Sequence, residues 1–358
     1  MSKWMKAARI FEHGGPEVLR YGEYSQPGLG PFDVKVRVLA SSISRFDIKY
    51  RNGELARASL PGRKPFPMPM QLGRDAAGIV EEVGEQVQTS KPGDRVVGLV
   101  HPANPLSMLA IKGLGNLSTD IEYPGHTMFG GNAQFVSRPQ SYWLPLPDGV
   151  EMIDAAAALW SYATSHRILK DRLNAGAGDT LLVIGASGGM GTATVDLARA
   201  MGIRVIATTR SEAKAGFLRE RGAAHVVVLT DPGEALREIR SVAGGMGVDG
   251  AVEYSADPAM LRLCVDALRP GGSLVPMAGE GSRDPMPVTV ADCVRLELNI
   301  RAARGSNVSD QHAVLALLAQ RKIRPAIDDV MPLAEIAQAH ARLEAGGVLG
   351  RIVLTPWN

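Results

Sequence analysis

Between Lys6 and Trp143 the apolar positions fall in short alternating or β-branched runs, KAARIF, DVKVRVLASSIS, AAGIVEEVG, GDRVVGLV and NAQFVSR, each broken by Gly or Pro. Period-two patterning predicts strands with one buried face, and a close succession of them predicts an all-β, partly barrel-like unit. From Val100 to Gly130 the periodicity fades into a stretch rich in Pro, Gly and Asn, read as a surface lobe. After Pro147 the texture changes. DAAAALWSYATSHRILKD predicts a helix, and TLLVIG, RVIATT, HVVVL, GAVEYS and GSLVPMAG are short apolar strands separated by helical segments. Strand and helix in alternation predict a parallel, doubly wound sheet. The closing segments HAVLALLAQRKIRPAI, LAEIAQAHARLEAGG and RIVLTP read as helix, strand-like link, helix and strand. They are too few to make a domain alone and are expected to fold back onto the β-rich unit. The fold class is therefore α/β, with a β-rich domain from residues 1–155 and 309–358 and a doubly wound domain from 156–308. No internal repeat or low-complexity tract is present.

Composition fits that outline and removes several function classes. The chain has 358 residues, enough for two ordinary domains, with 45% hydrophobic and 21% charged residues. A formal net charge of +2 gives no reason to propose nucleic acid or an acidic membrane as partner. The two cysteines, Cys264 and Cys293, lie in no ligand spacing, which excludes a disulfide framework and a thiolate zinc site. The N-terminal MSKWMKAARIFEHGG lacks the apolar core of a signal peptide, and no run approaches the ~20 apolar residues of a membrane span. These readings give a cytoplasmic protein with no membrane partner.

The sharpest local signal is TLLVIGASGGMGTATVDLARAMG, an apolar strand ending in glycines that open an amphipathic helix. In the frame Ala186-Ser187-Gly188-Gly189-Met190-Gly191 it is a variant of the G-x-G-x-x-G fingerprint, with Ala at the first Gly. Glycine there lets backbone approach a pyrophosphate and lets the helix pack closely on the strand, and the phosphates rest on the helix N-terminus. About 20 residues on, an Asp or Glu would hold the ribose of NAD. Here the second strand ends in Thr208-Thr209-Arg210-Ser211, with Lys214 one turn later and no carboxylate at the tip. A guanidinium makes bidentate contacts to a 2′-phosphate, so NADPH is preferred over NADH.

With the β-rich start, LPLPDGV, the ATSHR helix, GASGGMG, ALRPGGSLVPMAG and PLAEIAQAHARLEAGGVLGRIVL in place, the chain from about Met5 to Pro356 resembles the medium-chain dehydrogenase/reductase superfamily. The resemblance implies a GroES-like catalytic domain with a Rossmann domain inserted before its C-terminal portion, an active site in the cleft between them, and a homodimer or homotetramer paired through the fifth and sixth strands of the Rossmann sheet. Zinc-dependent members carry a Cys in the segment matching SSISRFDIKYRNG, then Gly-His-Glu, then a Cys ahead of a Thr. Those places hold Ser44, Arg74 in Gly73-Arg74-Asp75, and Trp160 ahead of Thr164. Serine, Arg and Trp cannot form the shell tetrahedral zinc demands, so no zinc is expected. Gly73-Arg74-Asp75, Asp47 and Arg51-Asn52-Gly53 look like the zinc-free branch of quinone reductase-like and enoyl reductase-like proteins. That branch commonly has Asn where Ser44 stands and Tyr where Lys49 stands, and its connection across 100–130 is shorter.

By family position the catalytic candidates are Tyr50, Ser44, Asp47 and Arg74, with Tyr162, Tyr123 and His126 less securely placed. Tyr50 is either a proton donor or a ring packed under the lobe. Arg74 is expected to pair with Asp47 or Asp75 rather than contact the substrate directly, the alternative role, because a buried unpaired Arg is costly. Trp160 is expected to fill the space of the absent metal, and His126 to lie in a surface loop. Thr164, Ala278-Gly279 and Arg301-Ala302 are expected near the nicotinamide, with Arg351 reaching back toward the cofactor. The function expected is hydride transfer from NADPH to an electron-poor small molecule such as a quinone or α,β-unsaturated carbonyl, since conjugation lowers the demand for a Lewis acid. The alternatives are zinc-independent alcohol or carbonyl oxidoreduction, and an NADPH-binding regulatory protein without turnover.

Overall fold

The computed structural model describes residues 3–55, 64–279 and 285–358. The chain forms two compact units, Met1–Ala163 with Ser306–Asn358, and Thr164–Gly305.

The first unit contains β1 (Trp4–Arg9), β2 (Arg20–Ser25), β3 (Asp33–Ile43), α1 (Arg45–Arg51), β4 (Ala77–Val83), β5 (Arg95–Gly98), α2 (Met108–Ile111), β6 (Phe135–Pro139), β7 (Trp143–Pro145) and most of α3 (Met152–Arg167). The chain returns to it with α9 (Val308–Ala319), β14 (Ile327–Pro332), α10 (Ile336–Ala345) and β15 (Arg351–Thr355). β1 and β2 form a hairpin, and a seven-stranded sheet runs β14-β15-β3-β4-β5-β7 with β6 also on β3. The C-terminal segments do join the β-rich unit, since β15 pairs antiparallel with β3 through Ile352 opposite Ile43 and Val353 opposite Ser42. One core gathers Val34, Val36, Val38, Val80, Val96 and Val136. A second packs Ile10, Ile43 and Met70 against Leu333, Ile336 and Leu354 of the returning chain.

In the second unit α4 (Gly189–Ala200), α5 (Glu212–Glu220), α6 (Pro232–Val242), α7 (Pro258–Ala267) and α8 (Val290–Leu296) alternate with β8 (Thr180–Ile184), β9 (Arg204–Thr209), β10 (His225–Val228), β11 (Val248–Glu253), β12 (Leu268–Pro276) and β13 (Asn299–Ile300). The strands are parallel in the order β10-β9-β8-β11-β12-β13. That is the Rossmann order, and its direction of build reverses between β8 and β11, where ligands of such sheets bind beyond the strands' carboxyl ends. Strands covered on both faces must be apolar throughout, which is why Leu181, Leu182, Val183, Val205, Ile206 and Val227 are all buried. Among the described residues no helix is long and apolar enough to cross a membrane.

Candidate active site

Asp47 organises the cluster of candidate residues in the first unit. It lies in the first turn of α1, and one carboxylate oxygen accepts from the Ser44 N–H at 2.8 Å and the Ser44 hydroxyl at 2.7 Å. This secures the helix start, as a carboxylate in the first turn does when it reaches back to the cap residue. The other oxygen accepts from the Gly73 N–H at 3.1 Å. Gly73 has φ +91°, and a Cβ there would sit 2.3 Å from Asn132 Oδ1, so only glycine fits. Ser44 and Asp47, two of the catalytic candidates, are thus bonded to each other, and together they fix the backbone that presents Arg74.

The Arg74 side chain is buried and, among the described residues, makes no direct ion pair with Asp47 or Asp75, although its charge bears on the Asp75 carboxyl. Asp47 is occupied as described, and Asp75 accepts from Arg351 Nη2 at 2.8 Å and from the Ser42 hydroxyl at 2.7 Å. Burial holds the Asp75 carboxyl above the ordinary carboxylate range, with Arg351 and Ser42 opposing it. Arg74 lies instead among rings, its guanidinium carbon 4.6 Å from the centroid of Trp160, 5.7 Å from Tyr123 and 6.0 Å from Tyr50. Cation–π attraction to desolvated aromatic faces is worth roughly 2 kcal/mol or more and replaces the carboxylate. Among the described residues the guanidinium Nε has no hydrogen-bond partner, and Nη2 reaches only the Tyr50 hydroxyl at 3.5 Å. Trp160 therefore serves as a wall for Arg74 as well as filling space.

Tyr50 packs in a three-ring cluster, with Phe66 at 5.4 Å and 9° between planes and His126 at 4.7 Å and 23°, those two rings lying 6.0 Å from each other. His126 is buried rather than exposed on a loop. The reason is glycine: a Cβ on Gly130 would stand 2.2 Å from the Gly73 carbonyl oxygen, and one on Gly131 would stand 2.2 Å from that of Asp75. The end of the lobe can lie flat on the strip bearing Arg74 only because both are Gly, and this carries His126 onto Tyr50. Tyr123 is likewise buried, its hydroxyl donating to the Ser118 carbonyl at 2.8 Å, and the Tyr162 hydroxyl donates to the Arg324 carbonyl at 3.1 Å. Arg351, expected to reach the cofactor, is bonded within the first unit. The pairing of β15 with β3 sets it beside Ser42, to which it donates, and Asp75.

In the second unit β8 ends at Ile184, Gly185 follows with φ +77°, and Gly188 stands at the N-cap of α4 with no side-chain cap. A Cβ on Gly191 would fall 2.3 Å from the Gly185 carbonyl oxygen and 2.5 Å from Ala186 Cα, whereas one on Gly188 would meet only the Gly185 oxygen at 3.7 Å. The last glycine therefore permits helix-to-strand packing, and the middle one leaves open the space where α4 presents its free N–H groups. Ser187, Gly189 and Met190 complete this turn. Such a turn at the switch point fits the pyrophosphate of a nicotinamide dinucleotide.

The turn is held by a buried chain the sequence reading missed. The Thr194 hydroxyl bonds the Ser165 hydroxyl at 2.9 Å, the Tyr254 hydroxyl at 2.7 Å and the Met190 carbonyl at 3.0 Å. Burial pushes the Tyr254 phenol up to about 12, so it stays protonated and bonded. Hydroxyls at apolar helix positions, Thr192 and Thr194 among them, were the available signal. Thr164 is buried, and among the described residues its Oγ1 has no partner. Ala278 and Gly279, with φ +93° at Gly279, follow β12, and Arg301, exposed, follows β13. At the end of β9 the Thr209 hydroxyl accepts from the Ser211 N–H at 3.1 Å, and Lys214 lies in the first turn of α5. Arg210 is exposed there, but the tip does carry a carboxylate in space. Asp257, at the N-cap of α7, accepts from Arg210 Nη2 at 3.0 Å.

Two family models match the chain, one described as an alcohol dehydrogenase GroES-like domain over residues 30–148 and one as a zinc-binding dehydrogenase over residues 189–320. A quinone oxidoreductase of Rattus norvegicus is 30% identical, with 98% of each chain covered. The solved structure of an NAD-dependent alcohol dehydrogenase superposes with a TM-score of 0.89 at 29% identity, covering 98% of this chain and 99% of that one. That of AibC superposes with a TM-score of 0.89 at 33% identity, covering 100% and 97%.

Proposed function

The chain belongs to the medium-chain dehydrogenase/reductase superfamily, on its quinone-reductase-like side, and we propose that it is a zinc-independent, NADPH-preferring reductase of quinones or α,β-unsaturated carbonyls. That it is an NAD(P)H-dependent oxidoreductase follows from the family. The acceptor, the metal independence, the cofactor preference, a homodimeric state and a cytoplasmic location are the proposal.

The observation that carries it is Arg74, a buried guanidinium walled by Trp160, Tyr123 and Tyr50 whose Nε has no hydrogen-bond partner and which makes no direct carboxylate ion pair among the described residues. The places where zinc-dependent relatives hold their metal do not fit one. The Ser44 hydroxyl is spent on Asp47, Arg74 carries a fixed positive charge, and the Trp160 indole offers no ligand lone pair. Bound nicotinamide supplies the hydride. Arg74 then supplies what a metal otherwise would, a fixed positive charge and N–H donors for the carbonyl oxygen as it gains negative charge. In a conjugated acceptor that charge spreads over a planar π-system, which suits stacking on ring faces such as those around Arg74. The Tyr50 hydroxyl, 3.5 Å from Arg74, is the proton source in this reading. Ser44 and Asp47 act through it, holding the backbone from which Arg74 projects.

A second reading, zinc-independent oxidoreduction of simple alcohols or carbonyls, is supported by the likeness to the NAD-dependent alcohol dehydrogenase. NADPH oxidation by metal-stripped protein separates the two. Turnover with quinones or enones is expected to survive chelation, and Arg74→Met to lower kcat/KM by about two orders of magnitude, the scale of losing one oxyanion donor. Turnover confined to simple aldehydes and ketones, or restored only by zinc, overturns the reading. Tight binding of NADPH with no turnover of any acceptor means a regulatory protein.

A further inference from the structure

The ion pair of Arg210 with Asp257 bears on which dinucleotide the Rossmann unit holds. β8 lies between β9 and β11 in the sheet, and Arg210 follows β9 while Asp257 follows β11. The pair therefore spans the carboxyl end of the strand that opens the dinucleotide turn.

Asp257 is held in place by a built turn. Its Oδ1 accepts from the Ala259 N–H at 2.9 Å, capping α7, while Oδ2 takes Arg210. Its own N–H donates to the Ser255 hydroxyl at 3.3 Å. The buried Glu253 carboxylate accepts from the Ser255 N–H and hydroxyl and from the Ala256 N–H at 3.2 Å. Ala256 takes φ +63°, a left-handed conformation that a residue with a Cβ keeps only where its surroundings impose it. This strained, clamped turn brings a carboxylate to the one guanidinium at the tip of β9.

We propose that Asp257 is a specificity-determining residue that narrows the preference between the 2′-phosphorylated and the unphosphorylated dinucleotide. The proposal rests on the reading that Arg210 receives the 2′ position of the adenosine ribose. A 2′-phosphate must draw Arg210 away from Asp257 and then sit near that carboxylate, which opposes its charge. A free 2′-hydroxyl meets no such conflict, because Asp257 accepts its hydrogen bond as a ribose-reading carboxylate does. An arginine alone would give strong selection for NADPH, and the pair gives a protein that uses both cofactors with a modest preference.

The test is calorimetric binding of NADP+ and NAD+ to the cofactor-free, full-length protein, so it does not depend on turnover. Asp257→Asn removes the charge and keeps a side chain able to cap α7. It is expected to tighten NADP+ and weaken NAD+ so that their affinity ratio moves by about tenfold, a 1.4 kcal/mol change in selectivity. Asp257→Ser, also a competent cap, should shift the ratio the same way. Arg210→Ala should weaken NADP+ by about tenfold or more and leave NAD+ nearly unchanged, as loss of a bidentate charged contact does. If the Asp257 variants move both cofactors equally or neither, while Arg210→Ala still weakens NADP+ selectively, Asp257 only caps its helix and the proposal fails alone. If Arg210→Ala shows no selective effect, Arg210 does not read the phosphate, and the reading beneath the proposal fails with it.

Discussion

His340 accepts a hydrogen bond at Nδ1 from Arg51 Nη1 at 3.1 Å, and because a guanidinium only donates, the imidazole must be neutral with its proton on Nε2. Burial, with the Arg51 charge beside it, pushes its pKa from the ordinary 6.5 down to about 3. The unfolded chain therefore takes up a proton near pH 6.5 that the folded chain refuses, so stability is fully present above that pH and declines as the pH falls. The slope is at most about 1.4 kcal/mol per pH unit. His340→Gln can still accept from Arg51 without titrating. Between pH 6.5 and 5 the variant should lose about 2 kcal/mol less than the native chain, read from urea unfolding at both pH values. Identical pH dependence would show that His340 is not buried in the neutral form. Residue identity was legible in the sequence here and at Arg74, but partnership was not. Asp47 and Asp75 are the carboxylates expected to pair with Arg74, yet one is claimed by Ser44 and Gly73 and the other by Arg351, 276 residues from Asp75. Arg210 shows the reverse case, a tip with no carboxylate in sequence that acquires Asp257 from 47 residues further on.

Elements with a strong period were legible. The apolar strands β8 to β12 and the helix α3 lie where periodicity puts them, because a parallel strand covered on both faces and a long buried helix each leave an unmixed run of apolar residues. The sixth strand shrinks to Asn299–Ile300, since Arg301 and the residues after it leave the sheet. The lobe was legible only as an absence of pattern. Its exposed residues Leu106, Met108 and Ile111 contrast with the buried Tyr123 and His126, whose burial depends on Gly130 and Gly131 meeting a distant strip of backbone. The glycine turn was legible in both place and purpose. Its clearest consequence concerns Gly191, where any Cβ would collide with the backbone of Gly185 and Ala186, atoms that cannot swing aside. Gly191→Ala is expected to force α4 away from β8, with a penalty of roughly 1–3 kcal/mol from overpacking. NADP+ binding should weaken in parallel, as the N–H groups at the start of α4 shift. Gly188→Ala, which meets only one atom at 3.7 Å, should leave stability nearly unchanged while still weakening the dinucleotide. Equal melting temperatures for Gly191→Ala and the native chain would refute the packing argument.

At the scale of the whole molecule the Rossmann sheet ends in an unprotected edge. β13 has two residues and, among the described residues, pairs only with β12. An open edge is a template for another strand unless charge, proline or a covering element blunts it. Close by in the chain, α8 exposes Val290 and Val294, 79% and 75% accessible, four residues apart and so on one helix face. Two exposed valines one turn apart beside an unpaired edge are what an isologous contact between two copies would cover, each supplying the same strand and helix. A homodimer joined there is expected to sediment as a single species of twice the 38.0 kDa chain. Val294→Glu, placing a carboxylate on that face in each copy, should shift the equilibrium to monomer without disturbing β8, α4 or the turn between them, so NADP+ binding by the monomer should persist. A dimer indifferent to Val294→Glu would place the contact elsewhere. The exposed Leu106, Met108 and Ile111 of the lobe would then be the next apolar surface to substitute, and loss of NADP+ binding together with dimerisation would mean that this edge supports the fold of the Rossmann unit itself.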